Sequence, residues 1–151
     1  MGATVLFLLA ILLSAVSQQT GNSEQEYAVE RLCGKLERAW LVPIKGSANS
    51  FEQKTKSLKN IPLRLYGRGE NISCCEGLPI VTKTETGHRG QFKLKGVAPG
   101  LYWFVAVVEG QEYKLQIRYE PAKGSDTLCS DLFFHITDSG TFQFGRKVTV
   151  D

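Results

Sequence analysis

A concentrated patch of basic residues is missing from this sequence. Its 18 basic and 15 acidic residues leave a net charge of only +3, and the basic residues are spread over predicted strands and loops rather than clustered. Because phosphate binding needs clustered positive charge, the sequence indicates no nucleic-acid partner. With 42% hydrophobic and 22% charged residues among 151, the composition is that of a globular chain and excludes a disordered one.

The sequence also lacks the motifs of several large enzyme classes. It contains no G-x-S-x-G, no H-E-x-x-H and no P-loop. Histidine is scarce: His88 lies in a Gly-His-Arg-Gly stretch that is typical of a turn, and His135 lies in an apolar stretch. Four cysteines are present without a C-x-x-C pair, which argues against a zinc site. We therefore predict a non-enzymatic chain with no catalytic residue, no metal and no cofactor.

Long apolar runs are absent except near the N-terminus. The run Val5–Leu13 has the length of a signal-peptide core and is too short to span a bilayer. Ala15 and Ser17 supply the small residues of a cleavage site. We predict a signal peptide over 1–17, a flexible lead-in over 18–26, and a secreted, periplasmic or cell-envelope protein with no membrane span after cleavage. A buried N-terminal helix or a short membrane anchor is the alternative.

Four cysteines lie in the predicted mature chain, and their even number agrees with export. They are Cys33, Cys74, Cys75 and Cys129. An oxidising compartment favours disulfides over thiol chemistry, and four cysteines allow three pairings. Either the adjacent Cys74 and Cys75 bridge each other and Cys33 joins Cys129, or each neighbour pairs with one of the distant cysteines. The spacing leaves these pairings open.

Apolar residues of the mature chain alternate with polar ones in short stretches, and none has a helical period. Eight strands are predicted: Val29–Glu37, Ile61–Tyr66, Ile80–Thr84, Gln91–Lys95, Leu101–Val108, Tyr113–Tyr119, Leu132–Ile136 and Thr141–Val150. Leu101–Val108 is apolar on both faces, which favours a central strand, and Glu109-Gly110-Gln111 is typical of a tight hairpin. We predict one all-β domain over 27–151, an antiparallel sandwich of seven to eight strands.

Two polar segments interrupt this strand pattern. The segment Pro43–Asn60 is predicted to be a long connection that holds a short helical turn near Phe51–Leu58. The segment Gly67–Gly77 carries the adjacent cysteines and the sequon that begins at Asn71, a glycosylation site in a eukaryotic secretory pathway. We interpret both segments as surface loops, of which the second is pinned by a disulfide.

The stretch from Gly90 to Tyr102 resembles the carboxypeptidase regulatory-like domain, a prealbumin-like (transthyretin-type) β-sandwich. The family pattern is matched by Thr82, Thr84, Gly90, Phe92, Leu94, Gly96, Val97, Pro99, Gly100 and Tyr102. Gly90 opens a turn where a side chain is unwelcome, Phe92 and Leu94 face the core, and Pro99-Gly100 turns the chain into the next strand.

The resemblance implies a prealbumin-like Greek key in which the first strand neighbours the penultimate one. That arrangement favours a Cys33–Cys129 bridge and leaves Cys74 and Cys75 to pair with each other or to stay reduced. It says little about chemistry, since such sandwiches host many functions. A small transthyretin-like hydrolase is the least favoured alternative, because this chain ends in Lys-Val-Thr-Val-Asp rather than Tyr-Arg-Gly-Ser.

Aromatic residues suggest where a ligand could bind. Trp40, Trp103, Tyr102, Tyr113 and Tyr119 could stack on the apolar faces of sugars, or they could fill the core. Trp40 is the strongest candidate for a ligand contact because it ends a strand beside a loop. The sequence thus predicts a structural or protein-interaction module that acts through exposed strand edges. Carbohydrate binding is the alternative, and the partner, protein or glycan, is unidentified.

Overall fold

The computed structural model describes residues 25–71 and 73–147. These residues form ten strands and one 3₁₀ turn: β1 (Glu26–Val29), β2 (Cys33–Pro43), β3 (Phe51–Ser57), β4 (Pro62–Gly67), β5 (Ile80–Glu85), β6 (Gln91–Lys93), β7 (Gly100–Val108), β8 (Gln111–Tyr119), the 3₁₀ turn Cys129–Asp131, β9 (Leu132–Thr137) and β10 (Phe142–Arg146). The predicted signal peptide, most of the predicted lead-in, and residues 148–151 lie outside the described residues. No helix between residues 25 and 147, position 72 aside, has the length and apolar character of a membrane span.

The strands form two sheets that share one hydrophobic core. The first sheet has the order β1-β8-β7-β4-β5, and the second has the order β10-β9-β2-β3, with β6 also paired to β2. Phe104 of the first sheet packs against Phe92, Phe134 and Phe142 of the second, with ring centroids 5.4, 5.1 and 5.7 Å away. The predicted β-sandwich is therefore confirmed.

The strand count and the pairing differ from the prediction. The described residues hold ten strands rather than seven or eight, and the sheets are mixed rather than antiparallel. The predicted strand Val29–Glu37 is in fact the end of β1 and the first part of β2. β1 pairs with β8 in parallel, and β2 pairs with β9 in parallel, so the chain crosses between the sheets where the apolar pattern predicts one continuous strand.

The segment Phe51–Ser57 is a strand, so the predicted helical turn near Phe51–Leu58 is wrong. β3 pairs antiparallel with β2 from Glu37↔Ser57 to Pro43↔Phe51. Six of its seven residues are exposed, which explains why the segment shows no apolar alternation. The segment is therefore held by its hydrogen bonds to β2 rather than by a buried apolar face.

The turn and core positions expected for Gly90, Phe92 and Leu94 are the ones that the structure gives them. Gly90 has φ +74°, and a Cβ there would collide with the Leu36 carbonyl oxygen, which lies close because the Leu36 N–H donates to the Gly90 carbonyl. Phe92 and Leu94 are buried in the core. β7, which begins at Gly100, is central between β8 and β4, and Glu109 and Gly110 form its tight turn into β8 with positive φ.

Two disulfides join the four cysteines, Cys33 to Cys129 and Cys74 to Cys75. The first follows from the topology: β2, which begins at Cys33, lies beside β9, the penultimate strand, and Cys129 comes just before β9. This is the pairing that the resemblance favours. The second bridge lies in the loop after β4, and both of its cysteines pack against Tyr66, Trp103 and Val105 on the outer face of the first sheet.

Candidate functional site

A hairpin extends beyond the rest of the second sheet and is largely exposed. β2 pairs with β9 only as far as Ala39↔Thr137, whereas its pairing with β3 continues to Pro43↔Phe51. From residue 40 onward, β3 is therefore its only partner strand among the described residues. We call residues 40–57 the projecting hairpin.

The projecting hairpin exposes apolar side chains. Leu41 is 65% exposed, Phe51 56% and Ile44 44%. Leu41 lies opposite Gln53, and Phe51 lies opposite Pro43, so strand alternation puts Leu41 and Phe51 on one face. A group of exposed apolar residues rimmed by polar ones is typical of an interaction surface.

β3 is also the terminal strand of the second sheet. The Ile44 N–H donates to Ser50, and the Leu58 N–H donates to Leu36, at the two ends of the β2–β3 ladder. Hydrogen-bonded pairs alternate in an antiparallel ladder. The even-numbered residues of β3 therefore bond to β2, and the odd-numbered ones direct their N–H and C=O groups away from it. The outward set is Phe51, Gln53, Thr55 and Ser57.

Trp40 lies at the base of the projecting hairpin, in a groove of about 420 Å³. The groove lies between the hairpin and the β9–β10 turn, and its lining residues are Ala39, Trp40, Leu41, Gln53, Thr137, Asp138, Ser139 and Gln143. Trp40 is half-buried. By the same alternation, Leu41 directs its N–H and C=O groups to the β9 side of β2, beyond the end of β9. The groove thus combines one indole with hydroxyl, amide, carboxylate and backbone groups.

The other predicted aromatic residues lie in the first sheet and do not join Trp40. Tyr102 and Trp103 are buried in β7, and Tyr113 and Tyr119 pack against the core from β8. The Tyr102 hydroxyl donates to the Ala98 carbonyl at 2.5 Å, and desolvation by burial, helped by Tyr119, raises the pKa of Tyr102. Tyr102, Tyr113 and Tyr119 thus belong to the core between the sheets, whereas Trp103 packs with Tyr66 and Val105 on the outer face of the first sheet.

The two histidines have unrelated surroundings. His88 is exposed in the turn between β5 and β6. His135 is buried in β9, where Nε2 lies 3.2 Å from Oε1 of Glu37 and the ring stacks on Phe133 with centroids 4.4 Å apart. Among residues 25–71 and 73–147, no group of three His, Cys, Asp or Glu side chains is placed to hold a metal ion.

A buried arginine in the loop after β4 links β1 and β8 on the outer face of the first sheet. Arg68, 6% exposed, donates to Glu26 Oε2 and to Gln116 Oε1, both at 2.5 Å. Glu26 also accepts from Arg118 at 3.0 Å. Sequence reasoning missed this network, since its members are far apart in the chain. The predicted glycosylation residue Asn71 is exposed three positions later, and the middle residue of its sequon, Ile72, lies outside the described residues.

Comparisons with known proteins add no assignment. No protein-family model matches the chain, and neither the curated proteins nor the solved structures include a match.

Proposed function

We propose that the chain is an exported, non-enzymatic interaction module that binds a protein partner through the edge of β3. The observation that carries the proposal is the projecting hairpin, whose last strand directs the backbone groups of four residues away from the sheet. An extended segment of a partner can add to such an edge, with main-chain hydrogen bonds giving affinity and alternate side chains giving specificity.

Export is part of this proposal. It is supported by the apolar run Val5–Leu13 and by the Cys33–Cys129 disulfide, since disulfides persist in oxidising compartments. Membership of the carboxypeptidase regulatory-like family is likewise proposed, on the resemblance and on the placement of Gly90, Phe92 and Leu94. A secreted or envelope location agrees with a structural or interaction role, because an exported module meets its partner outside the cytoplasm.

Proline at position 55 tests the edge directly. Thr55→Pro removes an outward N–H and leaves the bonds to β2, and proline is tolerated where an edge strand faces solvent. Thr55→Val is the matched control, because it keeps the N–H and the branched side chain. We expect immobilised wild type and Thr55→Val to retain the same protein from the envelope and secreted fractions of the producing cells, and Thr55→Pro to lose it.

The retained protein is then purified and its affinity for all three chains is measured by calorimetry. Equal affinity for Thr55→Pro and wild type would overturn the proposal, and so would the absence of any protein retained by wild type. Circular dichroism of the three chains establishes that the comparison is made between equally folded proteins.

Carbohydrate binding in the Trp40 groove is the second candidate. The observation in its favour is the half-buried indole beside Gln53, Asp138 and Ser139, because sugar sites combine an aromatic face with convergent polar groups. A second opening of about 520 Å³, near Gln91 and Lys93, has only the buried Phe92 as an aromatic residue.

A glycan array probed with wild type, Trp40→Ala and Leu41→Ala tests this second candidate. Leu41 lines the same groove without an aromatic ring, so Leu41→Ala controls for shape. We expect glycans retained by wild type and by Leu41→Ala to be lost by Trp40→Ala. If no glycan is retained, or if Trp40→Ala retains the same set, the groove is not a sugar site. Thr55→Pro should leave glycan retention unchanged, which separates the two candidates.

A further inference from the structure

The charges along β3 are arranged so that the strand is complementary to itself. Strand alternation places Glu52, Lys54 and Lys56 on one face, with the acid at the N-terminal end and the bases toward the C-terminal end. Lys54 Nζ lies 3.3 Å from Glu52 Oε1, and both side chains are at least half exposed. When two such strands run antiparallel, the acid of one faces a base of the other. When they run parallel in register, like charges face each other.

Only certain registers suit a two-fold pair. The outward residues of both copies must face each other to exchange hydrogen bonds, and among the registers that allow this, two place Glu52 opposite a lysine of the other copy. With Gln53 opposite Gln53, each Glu52 faces Lys54 of the other copy and each Phe51 faces Thr55. With Lys54 opposite Lys54, each Glu52 faces Lys56, but two like charges meet at the centre, which is destabilising.

We propose that a second copy of this chain is a partner of β3, joined antiparallel about Gln53. Each of the three facing pairs among Phe51, Gln53 and Thr55 exchanges two bonds, about six in all. The two second sheets then become one continuous sheet through the dimer, in the order β10-β9-β2-β3-β3-β2-β9-β10, with each β6 still paired to its own β2. The inference rests on the proposed function, since it names the partner of the same edge.

The flanking side chains agree with this arrangement. Leu41 lies opposite Gln53 in the hairpin, so the Leu41 side chains of the two copies flank the central Gln53 pair on one face. Phe51 lies diagonally from Leu41, within reach of an aromatic side chain. Lysines on an edge strand often prevent pairing between chains. Here the acid at Glu52 supplies each Lys54 with a partner in the second copy.

Charge reversal and complementation test the inference. The secreted chain, purified with its disulfides intact, is studied by sedimentation velocity over a concentration series. We expect a concentration-dependent dimer for wild type. In Glu52→Lys and in Lys54→Glu, each reversed side chain faces a like charge on the second copy. We expect the dissociation constant of the dimer to rise at least roughly tenfold in each variant. An equimolar mixture of the two should restore a dimer that contains one chain of each, since opposite charges again face each other.

Lys56→Glu is the matched control and also distinguishes the two registers. About Gln53, position 56 faces Ser50 of the second copy, so Lys56→Glu should dimerise as wild type does. Weakening by Lys56→Glu instead of by Lys54→Glu would overturn the stated register. A dimer that survives both Glu52→Lys and Lys54→Glu would show that β3 is not its interface.

A wild-type chain that stays monomeric up to about millimolar concentration would overturn the inference, since that limit corresponds to a negligible association free energy. It would leave the proposed function to its own test, in which Thr55→Pro loses a different protein. If Thr55→Pro fails to weaken a dimer that wild type does form, the dimer does not use the β3 edge and the inference fails, whereas the proposed function is still decided by the retention and calorimetry experiments. The two failures are therefore distinguishable.

Discussion

The two halves of β2 show how differently one strand can be held. Its first half pairs with β6 and then β3 on one side and, from Lys35 to Ala39, with β9 on the other, and it carries Leu36, which is fully buried. From Trp40 to Pro43 its only partner strand among the described residues is β3, and Leu41 is 65% exposed. Both halves belong to one continuous strand. The first half is fixed by packing, by a disulfide and by ladders on both sides, and the second half by one ladder.

This contrast assigns different tasks to the two regions. Burial of apolar surface is the main stabilising contribution in folding, so the sandwich body should determine whether the chain folds. The projecting hairpin buries little and should determine what the folded chain binds. Substitutions in the body are expected to change stability, and substitutions in the hairpin are expected to change association while leaving stability nearly unchanged.

The largest effect is expected for the body's disulfide. Cys33 and Cys129 are 96 residues apart, and cross-linking a loop of that length stabilises a fold by about 5 kcal/mol, by restricting the unfolded chain. The double variant that carries Cys33→Ala and Cys129→Ala should lose most of this stabilisation. Cys74→Ala with Cys75→Ala removes a loop of adjacent residues and should cost about 1 kcal/mol. Guanidinium unfolding followed by circular dichroism measures both, and equal losses would contradict the entropic argument.

The core aromatic residues come next. Phe104 is 1% exposed and contacts three other phenylalanines, so Phe104→Ala should cost about 4 kcal/mol through lost burial and a cavity. Leu41→Ala in the projecting hairpin is the counterpart and should change the free energy of unfolding by less than about 0.5 kcal/mol. If Leu41→Ala lowered the free energy of unfolding as much as Phe104→Ala, the Leu41 side chain would have to be packed against other residues. The contrast between the sandwich body and the projecting hairpin would then be wrong.

Glycine substitutions sharpen the comparison at a smaller scale. Gly90 and Gly46 both have positive φ, +74° and +88°, but a Cβ at Gly46 has no heavy atom within 4 Å. Gly46→Ala in the hairpin loop should cost about 1 kcal/mol from backbone strain alone. Gly90→Ala in the body adds a collision with the Leu36 carbonyl and should cost roughly 2–3 kcal/mol. Thermal unfolding of both variants measures how much more stability Gly90→Ala loses than Gly46→Ala. Equal losses would mean that the backbone around Gly90 shifts to accommodate the added Cβ.

The sequence also predicts the sandwich body better than it predicts the projecting hairpin. Strands with a buried face, such as β4, β7 and β9, show alternating or continuous apolar residues and were predictable. β3 has six exposed residues out of seven, so no periodicity marks it, and it resembles a loop. The groove was only partly predictable: Trp40 stands out by its residue type, but Asp138, Ser139 and Gln143 reach it through the parallel pairing of β2 with β9. That pairing joins strands almost 100 residues apart, which local patterns do not encode.

The smallest predicted effect depends on pH and again separates the two regions. In the body, Glu30 accepts hydrogen bonds from Ser125 at 2.8 Å, Arg146 at 2.6 Å and Thr127 at 3.1 Å. These bonds, that from Ser125 first and that from Arg146 second, lower the pKa of Glu30 below its ordinary 4.5. A carboxyl whose pKa is lower in the folded state stabilises the fold above the unfolded value and loses that contribution as the pH falls through the folded value.

The stability difference between wild type and Glu30→Gln should therefore be largest near pH 6 and should shrink as the pH falls below 4.5. Glu52→Gln in the projecting hairpin is the control, measured at concentrations at which the chain is monomeric: among the described residues Glu52 forms an ion pair with the exposed Lys54 alone, and such pairs contribute little. Its stability difference from wild type should stay close to zero across the same range. Unfolding midpoints measured at half-unit steps from pH 6 to pH 3 test this prediction. If the stability difference between wild type and Glu30→Gln were constant with pH, the three hydrogen bonds could not be assigned to the ionised carboxylate of Glu30. The carboxylate of Glu30 joins the β1–β2 connection to β10 and to the segment before the 3₁₀ turn, so its titration loosens the body, whereas the titration of Glu52 should change only the charge that the hairpin presents to a partner.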